Sequence, residues 1–311
     1  MKNTPLSLIT GGAGFIGSNL ARTLLRKGHK IIVFDNFSSG SINNLKDFKK
    51  QIKIVKGDVT NFKALLKTMK GVDYVYHHAA LVSVAESMAK PQETHKINLM
   101  GTSNVLEAAR LCGVKKVLLA SSSAVYGNGR KMPYKEDYPT DCRSPYAATK
   151  LMGEELLKTY YKSYGLNTVI VRYFNVFGPG QAANSPYAAV IAKFIDNIKK
   201  GTPLNINGDG KQTRDFVFID DVVNATLLVM KKGKSGEIYN IASGKSYTLL
   251  TLVSLLENIT GKKINRIFKS VRLGDVKKSS ANIAKIKNLG FTPSFSFENA
   301  LEVMFNKSSA N

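Results

Sequence analysis

The stretch "LSLITGGAGFIG" (residues 6–17) places a short apolar run directly before a loop with Gly11, Gly14 and Gly17. An amphipathic segment follows the loop at once. Glycine permits a tight turn and lets the backbone approach a pyrophosphate, and a helix that begins there offers free N–H groups and the positive end of its dipole. The stretch therefore predicts a strand, a phosphate-binding loop and a helix, in that order.

The second apolar run, "KIIVFD" (30–35), ends in Asp35, 24 residues after Gly11. A carboxylate at this place can accept hydrogen bonds from both ribose hydroxyls of an adenosine, and it repels a 2′-phosphate, which favours NAD over NADP. Asp58, in "KGDVTN" (56–61), ends the third run. Two interpretations stay open for Asp58, a contact with adenine and an N-cap of the next helix, and both can hold.

Apolar runs alternate with amphipathic segments through the first half of the chain. The predicted strands are 6–10, 30–35, 52–58, 72–79, 114–122 and 166–174, and the longer helices are 14–27, 92–112 and 146–164. Nearly all-apolar strands that alternate with helices indicate an α/β fold with a doubly wound parallel (Rossmann) sheet. The alternation weakens after Val176. Residues 1–176 are therefore predicted to be a nucleotide-binding Rossmann domain, and residues 177–311 mainly a smaller α/β substrate-binding domain, with segments near 214–230 that return to the first.

The composition narrows the function classes. The net charge of +23 suggests nucleic-acid binding, but the lysines are scattered and no aromatic residues alternate with them. We expect a solvated basic surface, no nucleic-acid partner, and an attraction for polyphosphate substrates. Cys112 and Cys142 form no disulfide or metal pattern, no run reaches ~18 apolar residues, and no signal peptide is recognised. These features predict a cytoplasmic protein without a metal and without a membrane segment.

A second stretch, "SPYAATKLMGEE" (144–155), carries the chemistry. Tyr146 and Lys150 are four residues apart, so they share one face of a helix. An ammonium near a phenol, together with the positive charge of an oxidised nicotinamide, is expected to lower the phenol pKa so that it can take the proton of an alcohol. Ser121, Ser122 and Ser123 end the preceding strand, and a serine hydroxyl can relay that proton. The pattern predicts an alcohol/ketone redox site, with His78 in a structural role.

Nearly the whole chain resembles the extended short-chain dehydrogenase/reductase family, and within it the NAD-dependent UDP-glucose and UDP-N-acetylglucosamine 4-epimerases. The resemblance is carried by "TGGAGFIG" (10–17), "DNFSSG" (35–40), "GDVTN" (57–61), "SSSAVYG" (121–127), "YAATK" (146–150), "RYFNVFGPGQ" (172–181), "RDFVFIDDV" (214–222) and "VRLGD" (271–275). It implies that Tyr146 deprotonates the sugar 4-hydroxyl while hydride passes from C4 to bound NAD. The 4-ketose then turns over, and hydride returns to its other face.

The resemblance also assigns residues. It implies catalytic roles for Ser122, Tyr146 and Lys150. It implies cofactor contacts for Gly11, Gly14, Phe15, Ile16, Gly17, Asp35, Asn36, Ser38, Ser39, Gly40, Asp58, Val59, Ala79, Ala80, Val82, Asn98, Ser121, Tyr146, Lys150 and Phe174. It implies contacts with the UDP-sugar for Ser83, Ser122, Ser123, Tyr146, Asn175, Leu204, Arg214, Arg272, Asp275 and Ser279. Two arginines suit a diphosphate because each can form charge-assisted, bidentate hydrogen bonds.

Ser279 lies four residues after Asp275, where a tyrosine in the family accompanies plain hexoses and a smaller residue accompanies 2-acetamido hexoses. The resemblance thus implies that the 2-acetamido sugars are accepted too, although a loop residue that faces water is the alternative for Ser279. The related 4,6-dehydratases need an Asp-Glu pair after the catalytic Ser or Thr. Ser123 and Ala124 stand there in this chain, which disfavours dehydration.

Three alternative functions remain open at this level. A UDP-uronic acid 4-epimerase, or another nucleotide-sugar enzyme on this scaffold, would need a cation for the sugar carboxylate, and the motifs do not place one. An NAD-sensing or NAD-binding protein on the same fold would not need the Ser–Tyr–Lys set. A nucleic-acid binder would rest on net charge alone. The family resemblance further implies a homodimer built from the helices near 92–112 and 146–164.

Overall fold

The computed structural model describes residues 4–129, 131–182, 190–270 and 277–307. The strands are β1 (Leu6–Thr10), β2 (Lys30–Asp35), β3 (Lys53–Lys56), β4 (Tyr74–His77), β5 (Lys116–Ser122), β6 (Thr168–Tyr173), β7 (Asn175–Phe177), β8 (Leu204–Asn207), β9 (Thr213–Arg214), β10 (Phe216–Phe218), β11 (Ile238–Ile241), β12 (Tyr247–Thr248) and β13 (Arg266–Lys269). The helices are α1 (Phe15–Arg26), α2 (Phe62–Met69), α3 (Val84–Ala89), α4 (Pro91–His95), α5 (Gly101–Leu111), α6 (Pro145–Tyr164), α7 (Val190–Lys199), α8 (Ile219–Lys232), α9 (Leu249–Thr260), α10 (Ala284–Lys287) and α11 (Phe297–Lys307).

Seven of the described strands form one parallel sheet in the order β3-β2-β1-β4-β5-β6-β11. The first six follow the doubly wound dinucleotide-binding order, in which the chain reverses direction across the sheet between β1 and β4. β1 pairs with both neighbours around this point, with Ile9 opposite Val33 on one side and Tyr76 on the other. The predicted α/β class is confirmed, and the strand order places the carboxyl ends of β1, β2 and β4 side by side.

The sheet is buried because helices cover both of its faces. Every residue of β6 is buried, and so are the five central residues of β5. Strand residues Leu8, Phe34 and Val75 belong to one apolar cluster with Leu106 of α5 and Leu157 of α6. Burial of apolar area of this kind is the main stabilising contribution to the fold, and it fixes α6 against the carboxyl end of β5.

The predicted helix over 92–112 is interrupted. α4 ends at His95, a π-helical turn runs from Lys96 to Met100, and α5 begins at Gly101. A π turn widens the helix by one residue and often occurs at functional sites. Here it contains Asn98, one of the residues expected to contact the cofactor.

The described chain divides into two compact units. The first runs to Val125 and also contains Cys142–Arg172 and Val223–Tyr239. The second contains Tyr126–Asp141, the described part of Tyr173–Val222, and the described residues from Asn240 onward. The division is therefore less simple than a boundary at residue 176, since residues 126–141 lie in the second unit and the segment that returns to the first is 223–239. Three short strand pairs, β7–β10, β9–β12 and β8–β13, organise the second unit.

Candidate active site

The glycine loop has the backbone that a close approach requires. Gly11 has φ +66°, and a Cβ at this residue would lie 2.7 Å from the backbone nitrogen of Ala79. A Cβ at Gly17 would collide with the carbonyl oxygen of Gly11. α1 starts at Phe15 with Gly14 as its N-cap, and no side chain caps its first N–H groups. The loop and the uncapped helix start therefore fit the pyrophosphate of a dinucleotide.

Asp35 lies at the end of β2 and is buried. Its Oδ2 accepts the Ala13 N–H at 2.9 Å and its Oδ1 accepts the Phe37 N–H at 2.8 Å. Each carboxylate oxygen keeps a further lone pair for a ribose hydroxyl. The loop that follows β2 contains Gly40, where a Cβ would lie 2.9 Å from the Ala13 carbonyl carbon. Residues 36–40 therefore pack beside the glycine loop.

Asp58 is not the N-cap of the next helix, so that interpretation is wrong. α2 is capped by Asn61, whose Oδ1 accepts the Ala64 N–H. Asp58 instead accepts hydrogen bonds from the Thr60 N–H, the Thr60 hydroxyl and the Asn36 side-chain amide. Burial alone would raise its pKa, but these hydrogen bonds lower it below the usual value. The expected adenine contact stays a prediction.

Asn98 connects the strand-edge loop to the helix that carries the tyrosine. Its Oδ1 accepts the Leu81 N–H at 2.8 Å, and its Nδ2 donates to the Thr149 hydroxyl at 3.1 Å. Val82, in the same loop, is 63% exposed, so its surface is accessible to a ligand. The Ser83 hydroxyl caps α3 by accepting the Glu86 N–H, so this predicted substrate contact already has a structural role.

The three predicted catalytic residues come together in the first unit. Ser144 caps α6 by accepting the Ala147 N–H, and Pro145 takes the first helical position, so Tyr146 lies in the first turn. The side chains of Tyr146 and Ser122 are hydrogen-bonded. The Lys150 Nζ donates to the Ala120 carbonyl oxygen at 2.8 Å and lies 5.8 Å from the centre of the Tyr146 ring.

The pKa of Tyr146 differs from the value that its position near Lys150 predicts. Burial raises the pKa of Tyr146 above its ordinary value, and the hydrogen bond from Ser122 only partly opposes this effect. For the protein groups taken alone, the pKa of Tyr146 is therefore raised and not lowered, because desolvation outweighs the hydrogen bond from Ser122. The lowering by the combined charges of Lys150 and an oxidised nicotinamide stays a prediction. Burial also lowers the pKa of Lys150 to about 8, with Glu154 acting in the opposite direction.

The adjacent His77 and His78 both have strongly lowered pKa values. His77 is buried, and its two ring nitrogens contact the hydroxyls of Thr10, at 2.7 Å, and Thr102, at 3.0 Å. Burial lowers the pKa of His77 to about 3 and that of His78 to about 4. Both rings are neutral at pH 7, which agrees with the structural role expected for His78.

A residue that the sequence reasoning missed lies one turn further along α6. Glu154 is fully buried and is bound by the Ser121 hydroxyl and by the guanidinium of Arg172. The spacing could have revealed it, because Tyr146, Lys150 and Glu154 are four residues apart in succession and so continue one helical face.

The second unit contains a cavity of about 270 Å³ with part of the predicted UDP site. Its lining residues are Asn175, Val176, Phe177, Val190, Ile191, Asn207, Gln212, Arg214, Phe216 and Leu249. Asn175 and Arg214 were predicted from the resemblance. Leu204 is fully buried at the start of β8, and Phe174 is buried in the same unit. Arg272 and Asp275 lie outside the described residues.

A larger cavity of about 350 Å³, also in the second unit, is lined by a mixture of aromatic and polar side chains, which include Lys245 and Lys287. None of the predicted site residues that the structure describes lines it, so the smaller cavity is the candidate nucleotide site. Next to Arg214, the buried Asp215 accepts hydrogen bonds from Ser243, Gly244 and Ala281. Burial raises the pKa of Asp215 to about 6 despite these hydrogen bonds.

Ser279 does not face water, since only 6% of its surface is exposed. Its N–H donates to the Thr213 carbonyl oxygen at 3.1 Å, and its carbonyl oxygen accepts the Ser246 hydroxyl. The alternative of a solvent-facing loop residue is therefore wrong. Ser279 lies beside strand β9, which ends in Arg214.

Among the described residues, no helix is both long and apolar enough to cross a membrane.

The comparisons with known proteins agree with this arrangement. A sequence model of the NAD dependent epimerase/dehydratase family matches residues 7–242. A solved UDP-N-acetylglucosamine 4-epimerase from Methanobrevibacter ruminantium, in complex with UDP-N-acetylmuramic acid, is 38% identical, with a TM-score of 0.94 over 100% of this chain and 99% of that chain. A solved UDP-glucose 4-epimerase from Thermotoga maritima, with UDP-glucose, is 35% identical, with a TM-score of 0.94 over 98% of this chain and 99% of that chain. A UDP-glucuronate 4-epimerase from Thermodesulfobacterium geofontis is 37% identical over 98% of this chain and 96% of its own length.

Proposed function

This chain belongs to the NAD-dependent epimerase/dehydratase family, and we propose that it is a UDP-sugar 4-epimerase that interconverts UDP-glucose and UDP-galactose and also the 2-acetamido forms. The observation that carries the proposal is the cluster of Ser122, Tyr146 and Lys150 in the unit that contains the glycine loop. A protein that only senses NAD has no need of a phenol that is hydrogen-bonded to a serine and lies 5.8 Å, at its ring centre, from an ammonium. Relatives named as 4-epimerases span nearly the whole chain.

NAD fits the first unit through the glycine loop, the uncapped start of α1 and Asp35. When bound, it supplies the hydride acceptor and donor and, in its oxidised form, a positive charge. Tyr146 takes the proton of the sugar 4-hydroxyl, and Ser122 relays it through the hydrogen bond between their side chains. Lys150, anchored on Ala120, supplies the cation that favours the phenolate. The proton returns to the same oxygen afterwards, so the reaction changes configuration without net oxidation.

We propose that the 270 Å³ cavity of the second unit takes part of the UDP group. Asn175 and Arg214 line it, and they are the described polar residues that the family resemblance assigns to UDP. The guanidinium of Arg214 suits a diphosphate because it offers several N–H donors in a fixed plane. Leu204, Arg272 and Asp275 complete the proposed set. The large positive net charge adds a long-range attraction for a nucleotide anion.

The sugar itself is the open choice. Relatives of similar identity are named for N-acetylglucosamine, glucose and glucuronate. The family resemblance implies that Ser279 lies beside the sugar, and its small side chain supports acceptance of the 2-acetamido group because it leaves room for it. The experiment is to incubate the protein separately with UDP-galactose, UDP-N-acetylgalactosamine and UDP-galacturonate and to assay the 4-epimers. Turnover of the first two supports the proposal, turnover of the uronate alone transfers the assignment to a uronate epimerase, and no turnover overturns it.

We further propose a cytoplasmic homodimer that associates through α5 and α6. Neither Cys112 nor Cys142 forms a disulfide in the described part of the chain, as is usual for proteins of reducing compartments. Met100, Leu111, Met152 and Tyr164 are exposed apolar side chains on or directly before these helices, and a second copy would bury them. Light scattering during size-exclusion chromatography should give twice the chain mass of 34.0 kDa. A monomer would contradict the dimer and leave the proposed reaction unaffected.

A further inference from the structure

The buried ion pair between Glu154 and Arg172 lies directly behind the redox residues. The Oε1 atom of Glu154 accepts the Arg172 Nε–H at 2.9 Å and the Ser121 hydroxyl at 2.5 Å, and its Oε2 accepts an Arg172 terminal N–H at 2.6 Å. Glu154 is fully buried, and the Arg172 side chain is 3% exposed. Burial removes two charges from water, and this cost can exceed their mutual attraction. Stabilisation of the fold alone is therefore a weak explanation for a buried ion pair.

The contact between Glu154 and Ser121 is one of three parallel contacts between the end of β5 and α6, and the other two involve catalytic residues. Three successive residues at the end of β5 each bind a different turn of α6. The Ala120 carbonyl oxygen accepts Lys150 Nζ, the Ser121 hydroxyl donates to Glu154, and the Ser122 side chain bonds Tyr146. Loss of the Ser121–Glu154 contact would therefore free the strand end that sets the position of Ser122.

Charge gives a second link between Glu154 and the site. Among the described residues, the titratable and charged groups around the ion pair and the Lys150 ammonium are Tyr146 and Glu154 on α6, His77 at the end of β4, His78 directly after it, and Arg172 on β6. The two histidines are neutral at pH 7, and so is the phenol. Glu154 is the charge that raises the pKa of Lys150, against the larger effect of burial.

We propose that Glu154 is a positioning residue of the redox site, whose carboxylate holds the Ser121–Ser122 strand end and supplies the negative charge that keeps Lys150 an ammonium. This inference rests on the proposed epimerase function for its consequences in turnover. The link between Glu154 and Lys150 itself can be measured without turnover.

The test uses Glu154→Gln, which keeps the size of the side chain and removes its charge. Its matched control is Glu155→Gln, the next residue on α6, which is exposed and pairs with Lys158 at the surface. Without the carboxylate, the ammonium form of Lys150 becomes less favourable in the folded protein. The deficit in Tm of Glu154→Gln relative to wild type should be largest near pH 6.5 and should shrink as the pH rises through about 8, the pKa of Lys150.

The activity readout is the pH profile of turnover. We expect the alkaline limb of Glu154→Gln to move to lower pH by about one unit, a loss of about tenfold on that limb, while Glu155→Gln follows wild type in both measurements. A Tm deficit that is the same at every pH, together with an unmoved alkaline limb, overturns the proposal, since an arginine does not titrate in this range and a broken ion pair alone gives a constant deficit.

A double variant keeps the test decisive if Glu154→Gln does not fold because Arg172 is left buried without its partner. Glu154→Gln with Arg172→Met removes both charges, which proteins often tolerate. In the double variant the alkaline limb of turnover should still lie at lower pH than in wild type, and the Tm deficit relative to wild type should still shrink as the pH rises. A wild-type pH profile in the double variant contradicts the proposal. If wild type turns over none of the UDP-sugars, the proposed function fails, and the Tm measurements still decide whether Glu154 acts on Lys150.

Discussion

The Lys150 ammonium donates a hydrogen bond of 2.8 Å to the carbonyl oxygen of Ala120, inside a helix–sheet interface that leaves the lysine only 6% exposed. Burial lowers the pKa of Lys150 to about 8, although Glu154 opposes the shift. Lys150 is therefore mostly an ammonium below about pH 8 and mostly a neutral amine above it. We expect turnover to fall on the alkaline side with a midpoint near pH 8, measured as kcat across pH 6–10. A rate that stays level to pH 10 would show that the charge of Lys150 is not required.

The same shift makes a prediction about stability. The folded pKa of Lys150, about 8, lies below the unfolded value of ~10.4. Between these two values the unfolded chain binds more protons at this residue than the folded chain does, so its contribution to the free energy of unfolding rises with pH. In a Lys150→Met variant, denaturant unfolding should lack this rise between pH 8 and 10. An identical pH slope in variant and wild type would argue against the assignment.

Tyr146→Phe should keep the fold and lower turnover by about 10²–10⁴-fold, the usual contribution of a general base. The ring still packs in its buried position, and only the oxygen that bonds Ser122 is lost. Tyr161→Phe, on the exposed surface of the same helix, is the control and should retain full activity. Residual turnover above about a tenth of wild type would mean that another group acts as the base.

Asp35 should determine the preference for NAD. In Asp35→Asn the amide oxygen can still accept one of the backbone N–H groups that the carboxylate holds, those of Ala13 and Phe37. Loss of the negative charge removes the repulsion of a 2′-phosphate, so the ratio of NAD to NADP affinity should fall by about tenfold or more, equivalent to ~1.4 kcal/mol. Isothermal titration of the cofactor-free protein with each cofactor measures the ratio. Equal wild-type affinities would show that Asp35 does not select.

Arg214→Gln should weaken binding of UDP, because the side chain lines the cavity of the second unit and loses its charge. A hydrogen bond to a charged group contributes about 1.5–3 kcal/mol, which corresponds to an increase in Kd of about 10–150-fold. NAD affinity should not change and is the internal control. Unchanged UDP affinity would remove Arg214 from the proposed site.

Ser279→Tyr should lower turnover of UDP-N-acetylgalactosamine and keep that of UDP-galactose. The reason is volume, since overpacking a tight site costs on the order of 1–3 kcal/mol and the larger sugar must rotate within it. Because Ser279 is buried, retained turnover of UDP-galactose serves as the control for folding. Unchanged selectivity would place the residue outside the sugar pocket, and loss of both activities with an unchanged Tm would show that it does not discriminate between the two sugars.

Residues adjacent in the chain determined the local features of this protein. The glycine loop needs only its own strand and helix, so its position and the start of α1 follow from "TGGAGFIG". The shared face of Tyr146 and Lys150 follows from helical spacing, and β2 has the predicted bounds because it is a continuous apolar run between polar residues. The sheet class follows from strands that are apolar on both faces.

Tertiary structure decided what depends on desolvation and on partners distant in the chain. The phenol of Tyr146 is harder to ionise than its spacing from Lys150 suggested, because burial acts on both groups and no spacing rule measures it. The role of Glu154 required Arg172 on a neighbouring strand, 18 residues further along the chain. The cap role that was one of two interpretations for Asp58 belongs to Asn61, which lies directly before the helix. Local sequence determines backbone conformation through short-range sterics, whereas charge and pKa depend on which groups the fold brings together and removes from water.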